Sequence, residues 1–428
     1  MEEISTSTGK RTMSERIKIE GFLVIQQADL ELKKINILIG TQASGKSIIA
    51  KLCYFFRKIS DHFLTGIRSQ QTKRELDKHI LEDFERRFPR YAWEGSTFSI
   101  HYEIDDLFLT IKGVKNSKGK TTVSLAYTGV LLKLFNSKKR LYKQQTDPRQ
   151  SLNDARIMYN EVIESLIESE HVRFFSYSVF IPASRSFFAN LQKNIFTFMS
   201  SNIDIDPFLK DFGSLYESTK KLSKHTSFRN GRSRRSSLTA LLDPSISAVI
   251  NGKYEYEDEQ DWIVSRENRV NMVHASSGQQ EALPMLVVLS IWPLIHLNKE
   301  GMIFIEEPEA HLFPTAQSRI IAMLSHLYQE LNVGFFLTSH SPYVLSALNN
   351  HILAGEAQAV GKLTSEEYTK MNGSGVPIRF EDVAAYTISK GTAESLADAE
   401  YRMIGGDMLD DVSEHFGEVA NSLLELIA

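Results

Sequence analysis

The chain has 428 residues, 42% of them hydrophobic, and carries 49 Lys and Arg against 53 Asp and Glu. This near balance excludes a uniformly polycationic protein, so any nucleic-acid contact must come from a local basic segment. The single cysteine, Cys53, excludes a disulfide framework and a thiolate zinc site, and no apolar run approaches the ~20 residues that span a bilayer. We therefore expect a soluble cytoplasmic protein of two lobes with no membrane partner.

The N-terminal part predicts strands that lead into a loop. Residues 1–15 are polar and are expected to form a flexible tail. Residues 17–40 alternate between apolar and polar and then become almost wholly apolar, which predicts edge strands and a buried central strand that ends at Gly40. Residues 46–59 follow with the apolar spacing of a helix.

Residues 59–170 are predicted to be an inserted region of helices and antiparallel strands. Residues 68–88 have the pattern of a charged amphipathic helix, which we expect to pack on its own lobe, with docking to a partner as the alternative. Residues 96–114 alternate with a period of two, and residues 131–170 have helical spacing that breaks near 144–151.

The second half alternates buried strands with helices. A buried strand is predicted within 173–188, leaving through Pro182 into a loop, and residues 220–237 are basic and Ser-rich, which favours a mobile loop or surface arm. A helix opens near residue 276, a buried strand covers 301–307, and residues 334–348 predict strand, loop and helix. Residues 351–428 are expected to form a mixed, acidic tail region.

The segment GTQASGKS, residues 40–47, matches the phosphate-binding pattern G-x-x-x-x-G-K-[ST] between a predicted strand and a predicted helix. Its glycines let the backbone wrap around phosphate oxygens, and the amides and the helix dipole favour an anion. Lys46 would reach the β- and γ-phosphates of ATP, and the Ser47 hydroxyl would bind Mg²⁺. The predicted nucleotide-binding residues of this loop are Gly40, Thr41, Gln42, Ala43, Ser44, Gly45, Lys46, Ser47 and Ile48.

The segment FIEEPEAHLFP, residues 304–314, ends an apolar run with two carboxylates. In P-loop enzymes the apolar strand beside the loop ends in an acidic residue that holds Mg²⁺, and Glu306 fits that position. Glu307 would point elsewhere because side chains alternate along an extended segment, so we expect it to activate the attacking water. For Glu309 and His311, a helix cap, a subunit contact and catalysis all stay open.

Two further segments complete the set of motifs. His340 follows another apolar strand, where it could hydrogen-bond the γ-phosphate. Ser276, Ser277, Gly278 and Gln279 precede a helix and form a second anion site. Because one P-loop cannot use both anion sites on one nucleotide, we expect this turn to close on the ATP of a second copy.

Taken in order, GTQASGKS, SSGQQ, FIEEPEAHLFP and LTSHSPYVL resemble the motifs of ABC-class ATPases of the SMC, Rad50 and RecF kind. They resemble more closely the OLD-like branch, which carries E-E-P-E-x-H-L-x-P, and YSVFIPASRSFF is similar to a segment of that branch. The resemblance implies an α/β P-loop NTPase fold. This would be an ABC-class head, 16–58 and 171–350, with a mixed central sheet, flanking helices and an antiparallel β subdomain, interrupted by the inserted region.

The resemblance also implies that two heads sandwich two ATP molecules with Mg²⁺. Lys46, Ser47, Glu306, Glu307 and His340 would then act on the nucleotide of their own protomer, and Ser277 and Gly278 on that of the partner. It suggests that Arg185 contacts the nucleotide or the dimer seam. Gln70 and Gln71 are candidates for the metal-coupling glutamine by order alone, and that assignment stays open.

Two departures from the family shape the functional hypotheses. Fewer than 90 residues follow His340, too few for the Toprim nuclease that many OLD-like proteins carry, and long heptad arms are missing. We therefore expect an ATPase that is not itself a nuclease, forms a homodimer or higher oligomer, and controls a separately encoded effector, a nuclease, in anti-phage systems of the Septu or PARIS kind. The alternative is a DNA-repair or DNA-metabolism ATPase that binds DNA through Lys220, Lys221, Lys224, Arg229, Arg232, Arg234 and Arg235.

The P-loop assignment predicts that Lys46→Ala abolishes ATP binding, because the substitution removes the cation expected on the β- and γ-phosphates. Isothermal titration calorimetry with Mg-ATP measures this directly. Lys51→Ala, further along the same predicted helix, is the control and should keep the wild-type affinity. An unaltered ATP affinity in Lys46→Ala would contradict the assignment.

Overall fold

The computed structural model describes residues 14–145, 160–166, 171–189, 205–223, 234–266, 268–296 and 300–405. The chain divides into two compact units. Unit 1 comprises Met1–Lys33, Lys51–Ser178 and Lys390–Ala393, and unit 2 comprises Lys34–Ala50, Val179–Ser389 and Glu394–Ala428. Most of the predicted flexible tail lies outside the described residues, but Glu15 already begins a strand. No helix of the described ranges is long and apolar enough to span a membrane.

The strands of the described residues are β1 (Glu15–Phe22), β2 (Ile25–Leu32), β3 (Ile35–Ile39), β4 (Phe98–Ile104), β5 (Leu107–Lys115), β6 (Thr121–Tyr127), β7 (Tyr177–Ile181), β8 (Lys253–Glu257), β9 (Gln260–Val264), β10 (Arg269–Asn271), β11 (Gly301–Glu306), β12 (Val333–Ser339), β13 (Val383–Ser389), β14 (Thr392–Ser395), β15 (Ala397–Asp398) and β16 (Met403–Ile404). The α-helices with assigned bounds are α1 (Lys46–Arg68), α2 (Lys73–Arg87), α3 (Gly129–Gln145), α4 (Pro207–Ser223), α5 (Arg234–Ile250), α6 (Ser277–Ile295), α7 (Pro314–Glu330), α8 (Pro342–Ala359) and α9 (Ser365–Asn372).

Unit 1 contains an antiparallel sheet with the order β6-β5-β4-β1-β2. Every second residue of β4 is buried, which confirms the antiparallel strands predicted from the period of two in residues 96–114. Because β1 pairs with both β2 and β4, residues 16–33 share an antiparallel sheet with strands of the predicted insertion. The assignment of these residues to the ATPase head stays a prediction.

The amphipathic helix α2 packs within unit 1, as predicted. It starts with a capping box in which the side chains of Thr72 and Glu75 each accept a backbone N–H of the other residue. The ring of Phe84 on its buried face lies 5.8 Å from that of Phe22 and 5.6 Å from that of Phe55. Further along, α3 and a helical segment at 160–166 agree with the predicted pair of helices, whereas the predicted break falls largely outside the described residues.

The two candidates for a metal-coupling glutamine lie in the α1–α2 turn of unit 1. Gln70 donates its side-chain amide to the carbonyls of Ile67 and Lys139, and the Lys139 ammonium donates to the carbonyl of Gln71. These bonds tie the turn to α3, which gives both glutamines a local structural role.

Unit 2 contains the sheet order β13-β3-β12-β11-β7, in which β13, β3, β12 and β11 run parallel. Strands β3, β11 and β12 are buried at every position, which explains their continuous apolar runs. Helix α7 packs on both α5 and α8, and α6 packs on both α4 and α5. This arrangement agrees with the α/β P-loop NTPase fold, with a mixed central sheet and flanking helices, that the motifs predicted.

The strand order corrects two sequence-based expectations. The neighbour of the P-loop strand β3 on one side is β12, so the Glu306 strand β11 lies one strand further away than predicted. The neighbour on the other side is β13, which comes from the predicted tail region. Residues 383–389 are therefore an integral part of the ATPase sheet, because they supply the hydrogen bonds that β3 needs on that edge.

The basic segment is largely helical where it is described. Lys220 lies in α4 and is only 1% exposed, with its ammonium 3.2 Å from Asp261 Oδ2 and 2.6 Å from Glu217 Oε1. The prediction of a mobile loop is wrong at this residue, and a buried, paired Lys220 cannot contact DNA. Lys224, Arg229 and Arg232 lie outside the described residues, and Arg234 and Arg235 begin α5.

A buried ion pair fixes the start of β1 against α1 in unit 1. The Arg57 guanidinium makes two hydrogen bonds to the Glu15 carboxylate, which also accepts from Tyr102 and Arg173. Burial alone would raise the pKa of Glu15, but the charge and hydrogen bonds of Arg57, with those of Arg173 and Tyr102, lower it below its ordinary value.

We predict that Glu15→Gln lowers the free energy of unfolding by about 3–5 kcal/mol at pH 7, because it leaves the buried Arg57 charge uncompensated. The carboxylate has a lowered pKa in the folded state, so its stabilising effect is present above pH 4.5 and is lost as the pH falls below that value. Urea unfolding followed by circular dichroism at several pH values measures both effects. Asp29→Asn, which breaks an exposed pair with Arg16, is the control and should cost about 0–1 kcal/mol. Equal losses in the two variants would contradict the role of the buried pair.

Candidate functional site

The P-loop connects β3 to α1 through a backbone that two glycines make possible. Gly40 and Gly45 have φ values of 144° and 107°, which L side chains rarely adopt. A Cβ on Gly40 would also lie only 3.3 Å from the carbonyl oxygen of Ile388 in β13. Most of the other predicted loop residues are accessible to a ligand. Thr41, Gln42, Ala43 and Ser47 are exposed, and Ser44 and Ile48 are partly buried.

The Lys46 ammonium lies inside the loop. It donates to the carbonyl oxygens of Gly40 at 2.8 Å and Thr41 at 2.7 Å. Burial lowers the pKa of Lys46, whereas the carboxylates of Glu307 and Glu309 oppose that shift. The loop therefore holds a cation between its own carbonyls and two acidic side chains.

Lys46, His340 and Glu307 lie in series at the ends of the parallel strands. The Lys46 ammonium is 3.5 Å from His340 Nδ1, and His340 Nε2 is 3.4 Å from Glu307 Oε1. The side chains of His340 and Glu307 are 33% and 39% exposed, so both can meet a ligand. The three residues were predicted from separate motifs, and the strand order brings them together.

The two adjacent glutamates have different surroundings, but the predicted reason for this was wrong. Strand β11 ends at Glu306, and Glu307 has a φ of 44°, so a left-handed turn rather than strand alternation redirects its side chain. The Glu307 amide donates to the carbonyl of Thr338 at 2.9 Å, which fixes this turn to β12.

The side-chain oxygens of Glu306, Thr338 and Ser47 are of the chemical type that binds Mg²⁺. Glu306 is only 5% exposed and accepts a hydrogen bond from the Ala183 amide at 3.2 Å. Thr338 pairs with Glu306 in the register of β11 and β12, and its buried hydroxyl has no hydrogen-bond partner among the described residues. With the exposed Ser47 hydroxyl, these are hard oxygen ligands of the kind that Mg²⁺ takes beside a phosphate.

Glu309 orients the backbone at His340, a role that sequence reasoning missed. One of its carboxylate oxygens accepts from the Ser339 hydroxyl at 2.7 Å and from the His340 amide at 2.8 Å. It does not cap a helix, because the N-cap of α7 is Phe313. The position of Glu309, two residues after the acidic pair, indicated that its carboxylate could have a role at the site. Its partner Ser339 in β12 lies 30 residues away, so the contact could not be predicted from sequence spacing.

Arg185 requires a correction, because the structure gives it no contact surface. Its side chain is fully buried and donates to the carbonyl oxygens of Pro182, Glu281, Glu306 and Glu307. Burial lowers the pKa of Arg185, and the nearby carboxylates, that of Glu281 first, oppose this. Arg185 therefore supports the backbone of the acidic pair from inside unit 2 and presents no exposed surface for the predicted contact with the nucleotide or the dimer seam. Glu281, its main acidic neighbour, was also missed.

The predicted second anion site, the signature turn (Ser276–Gln279), begins α6 as expected. Ser276 is the N-cap. Its hydroxyl accepts a hydrogen bond from the backbone N–H of Gln279, and the side-chain oxygen of Gln279 accepts one from the backbone N–H of Ser276. Ser276 and Ser277 are exposed. A Cβ on Gly278 would lie 2.7 Å from the carbonyl of His311, so only glycine allows this turn to lie so close to the segment that follows β11.

We predict that Glu309→Ala lowers the free energy of unfolding by about 1–3 kcal/mol, because the buried Ser339 hydroxyl and the His340 amide lose their acceptor. Urea unfolding measures the loss. Glu309→Gln keeps a carbonyl oxygen for the same two bonds and should recover most of the stability. If the alanine and glutamine variants unfold alike, the two hydrogen bonds are not what Glu309 contributes.

Comparison with solved structures finds SMC heads at low similarity. The SMC head bound to the C-terminal winged-helix domain of ScpA has 10% identity and a TM-score of 0.38, covering 90% of this chain and 96% of that chain. The SMC head domain from Thermotoga maritima has 10% identity and a TM-score of 0.36, covering 90% and 98%. An SMC head from Pyrococcus furiosus with an extended coiled coil, bound to the C-terminal domain of ScpA, has 9% identity and a TM-score of 0.36, covering 95% and 99%.

Comparison with curated proteins finds no match. A family model described as "AAA domain, putative AbiEii toxin, Type IV TA system" matches residues 35–346. This span includes the P-loop, the signature turn, the acidic pair and His340, and it covers well over half of the chain. The chain therefore belongs to this family of AAA-domain ATPases.

Proposed function

We propose that the chain is an ATP-hydrolysing switch in which two heads close around ATP. The observation that carries this proposal is the series Lys46, His340 and Glu307, with successive contacts of 3.5 Å and 3.4 Å beside the P-loop. Phosphoryl transfer to water requires a cation on the phosphates and polar groups that orient and deprotonate the attacking water. Lys46 supplies the cation, and His340 and Glu307 supply the polar groups.

In this proposal the residues divide the work by position. Lys46 exchanges its bonds to loop carbonyls for bonds to the β- and γ-phosphates, where its charge is better compensated. Ser47 and Glu306 hold Mg²⁺, which neutralises charge on the phosphates. Glu307 accepts a proton from the attacking water, and His340 orients the γ-phosphate beside it.

The partner protomer would complete the site through its signature turn. The exposed hydroxyls of Ser276 and Ser277 stand at the N-terminus of a 19-residue helix, where backbone N–H groups and the helix dipole favour a phosphate. Hydrolysis would then require two copies of the chain. The closed, ATP-bound dimer would therefore be the state that carries the signal of the switch.

We further propose that this signal controls a separately encoded effector, a nuclease, in prokaryotic anti-phage defence in the cytoplasm. Support comes from the family description, which names a putative toxin of a type IV toxin–antitoxin system. Purification of the tagged chain from its native operon, with and without ATP, tests this. A neighbouring gene product should co-purify in a nucleotide-dependent manner, and the absence of any such partner would contradict the effector role.

We predict that Glu307→Gln binds ATP with wild-type affinity but loses at least about 100-fold in turnover, because a well-placed base contributes ~10²–10⁴-fold. The variant should accumulate as an ATP-bound dimer, which size-exclusion chromatography with light scattering detects.

The control adds Ser277→Arg to Glu307→Gln. The large cation at the signature turn should prevent the ATP-dependent dimer without changing ATP affinity, because the P-loop is intact. A dimer that persists in the double variant would contradict the proposed contact with the partner's nucleotide, and wild-type turnover in Glu307→Gln would identify another base.

A further inference from the structure

The side chain of Arg185 joins three segments of unit 2 that are distant in sequence. Its Nη1 donates to the carbonyls of Pro182 at 2.9 Å and Glu306 at 2.7 Å, and its Nη2 donates to that of Glu307 at 2.9 Å. Its Nε donates to the carbonyl of Glu281 in α6, also at 2.9 Å. One fully buried guanidinium therefore holds the β7 loop, the end of β11 and the first turns of α6.

A second set of bonds makes the connection to α6 rigid. The Glu281 carboxylate accepts from the Arg185 amide at 2.9 Å, from the Ser186 amide at 3.1 Å and from the Ser186 hydroxyl at 2.7 Å. Glu281 lies four residues after Ser277 on the same helix, so the two residues share one helical face. A movement of the signature turn along α6 would therefore also move the loop that follows β7 and carries Arg185 (the Arg185 loop).

The same loop also contacts the acidic pair. Glu307 adopts a φ of 44°, a conformation that a non-glycine residue holds only when its surroundings fix it. Its backbone is fixed by the bond from Arg185 to its carbonyl and by the bond from its amide to Thr338. The adjacent Glu306 carboxylate accepts from the Ala183 amide. The position of the Glu307 carboxylate thus depends on where the Arg185 loop stands.

We propose that Arg185 is a positioning residue that couples the signature turn to Glu307, so that engagement of the turn by a partner's nucleotide sets the hydrolytic carboxylate in place. This inference rests on the proposed function, because it requires that the turn meet the ATP of a second copy. It adds the route through which one active site senses the other: Ser277, Glu281, Arg185 and Glu307. Arg185 itself touches neither water nor phosphate.

The chemistry of the contact explains why arginine occupies this position. A planar guanidinium presents five N–H donors in a fixed fork and can satisfy carbonyls in several directions at once. A lysine ammonium donates from a single point and cannot hold three segments at these spacings. Arg185→Lys therefore keeps the buried charge but removes the bridge.

The test measures ATP affinity, turnover per nucleotide-binding site and ATP-driven assembly in Arg185→Lys. We expect the Kd for ATP to stay within about twofold and kcat to fall by at least about tenfold. In the Glu307→Gln background, Arg185→Lys should still form the ATP-bound dimer, because the P-loop and the signature turn are intact. A merely structural role would lower the folded fraction and leave kcat per site unchanged.

Two further variants keep the test decisive. Ser186→Ala removes one bond to Glu281 and should give a smaller loss of kcat; it carries the test if Arg185→Lys does not fold. Tyr216→Phe removes a buried hydrogen bond to Asp261 elsewhere in unit 2 and should lower thermal stability without changing kcat per site.

The possible results separate the inference from the proposed function. If wild-type protein turns over ATP as a dimer and both Arg185→Lys and Ser186→Ala keep its kcat per site, the coupling role is wrong and the proposed function stands. If wild-type protein binds ATP but neither dimerises nor hydrolyses it, the proposed function fails and the coupling role fails with it. A loss of kcat in Arg185→Lys that Tyr216→Phe reproduces would also overturn the coupling role.

Discussion

The site depends on one constraint: the carboxyl ends of three parallel strands meet at the same edge of the sheet of unit 2. Strand β12 lies between β3 and β11, so its terminal loop separates the P-loop from the acidic pair. His340 occupies that loop and contacts Lys46 on one side and Glu307 on the other. Parallel sheets commonly place ligands at this edge, and here the strand order brings the three loops that carry these side chains together.

Buried polar groups hold this edge in its geometry. Glu309 fixes the His340 backbone, and Arg185 fixes the carbonyls of both residues of the acidic pair. Each of these groups is buried and hydrogen-bonded, which is the condition under which a charge inside a protein is tolerated. The exposed residues that would meet phosphate are therefore held in position by hydrogen bonds to the buried residues behind them.

Motifs that depend on neighbours in sequence could be predicted, and contacts that depend on strand pairing could not. The P-loop, the start of α6 and the ends of β11 and β12 follow from local patterns of glycine, serine and apolar residues. The pairing of β13 with β3 joins residues more than 300 positions apart, and no local pattern specifies it. Lys220 belongs to a basic run, yet its partner Asp261 lies 41 positions away, so the charge run was mistaken for surface. Arg185 was predicted to contact the nucleotide or the dimer seam, because its burial was not visible in the sequence.

In the proposed mechanism, hydrolysis at this edge of the sheet requires a second copy of the chain. The most direct test is the ATPase rate per protomer at saturating Mg-ATP over a wide range of protein concentrations, with the mass of the species followed by light scattering. The rate per protomer should rise with concentration and level off as the dimer fills. A constant rate per protomer in a chain that stays monomeric throughout would contradict the account.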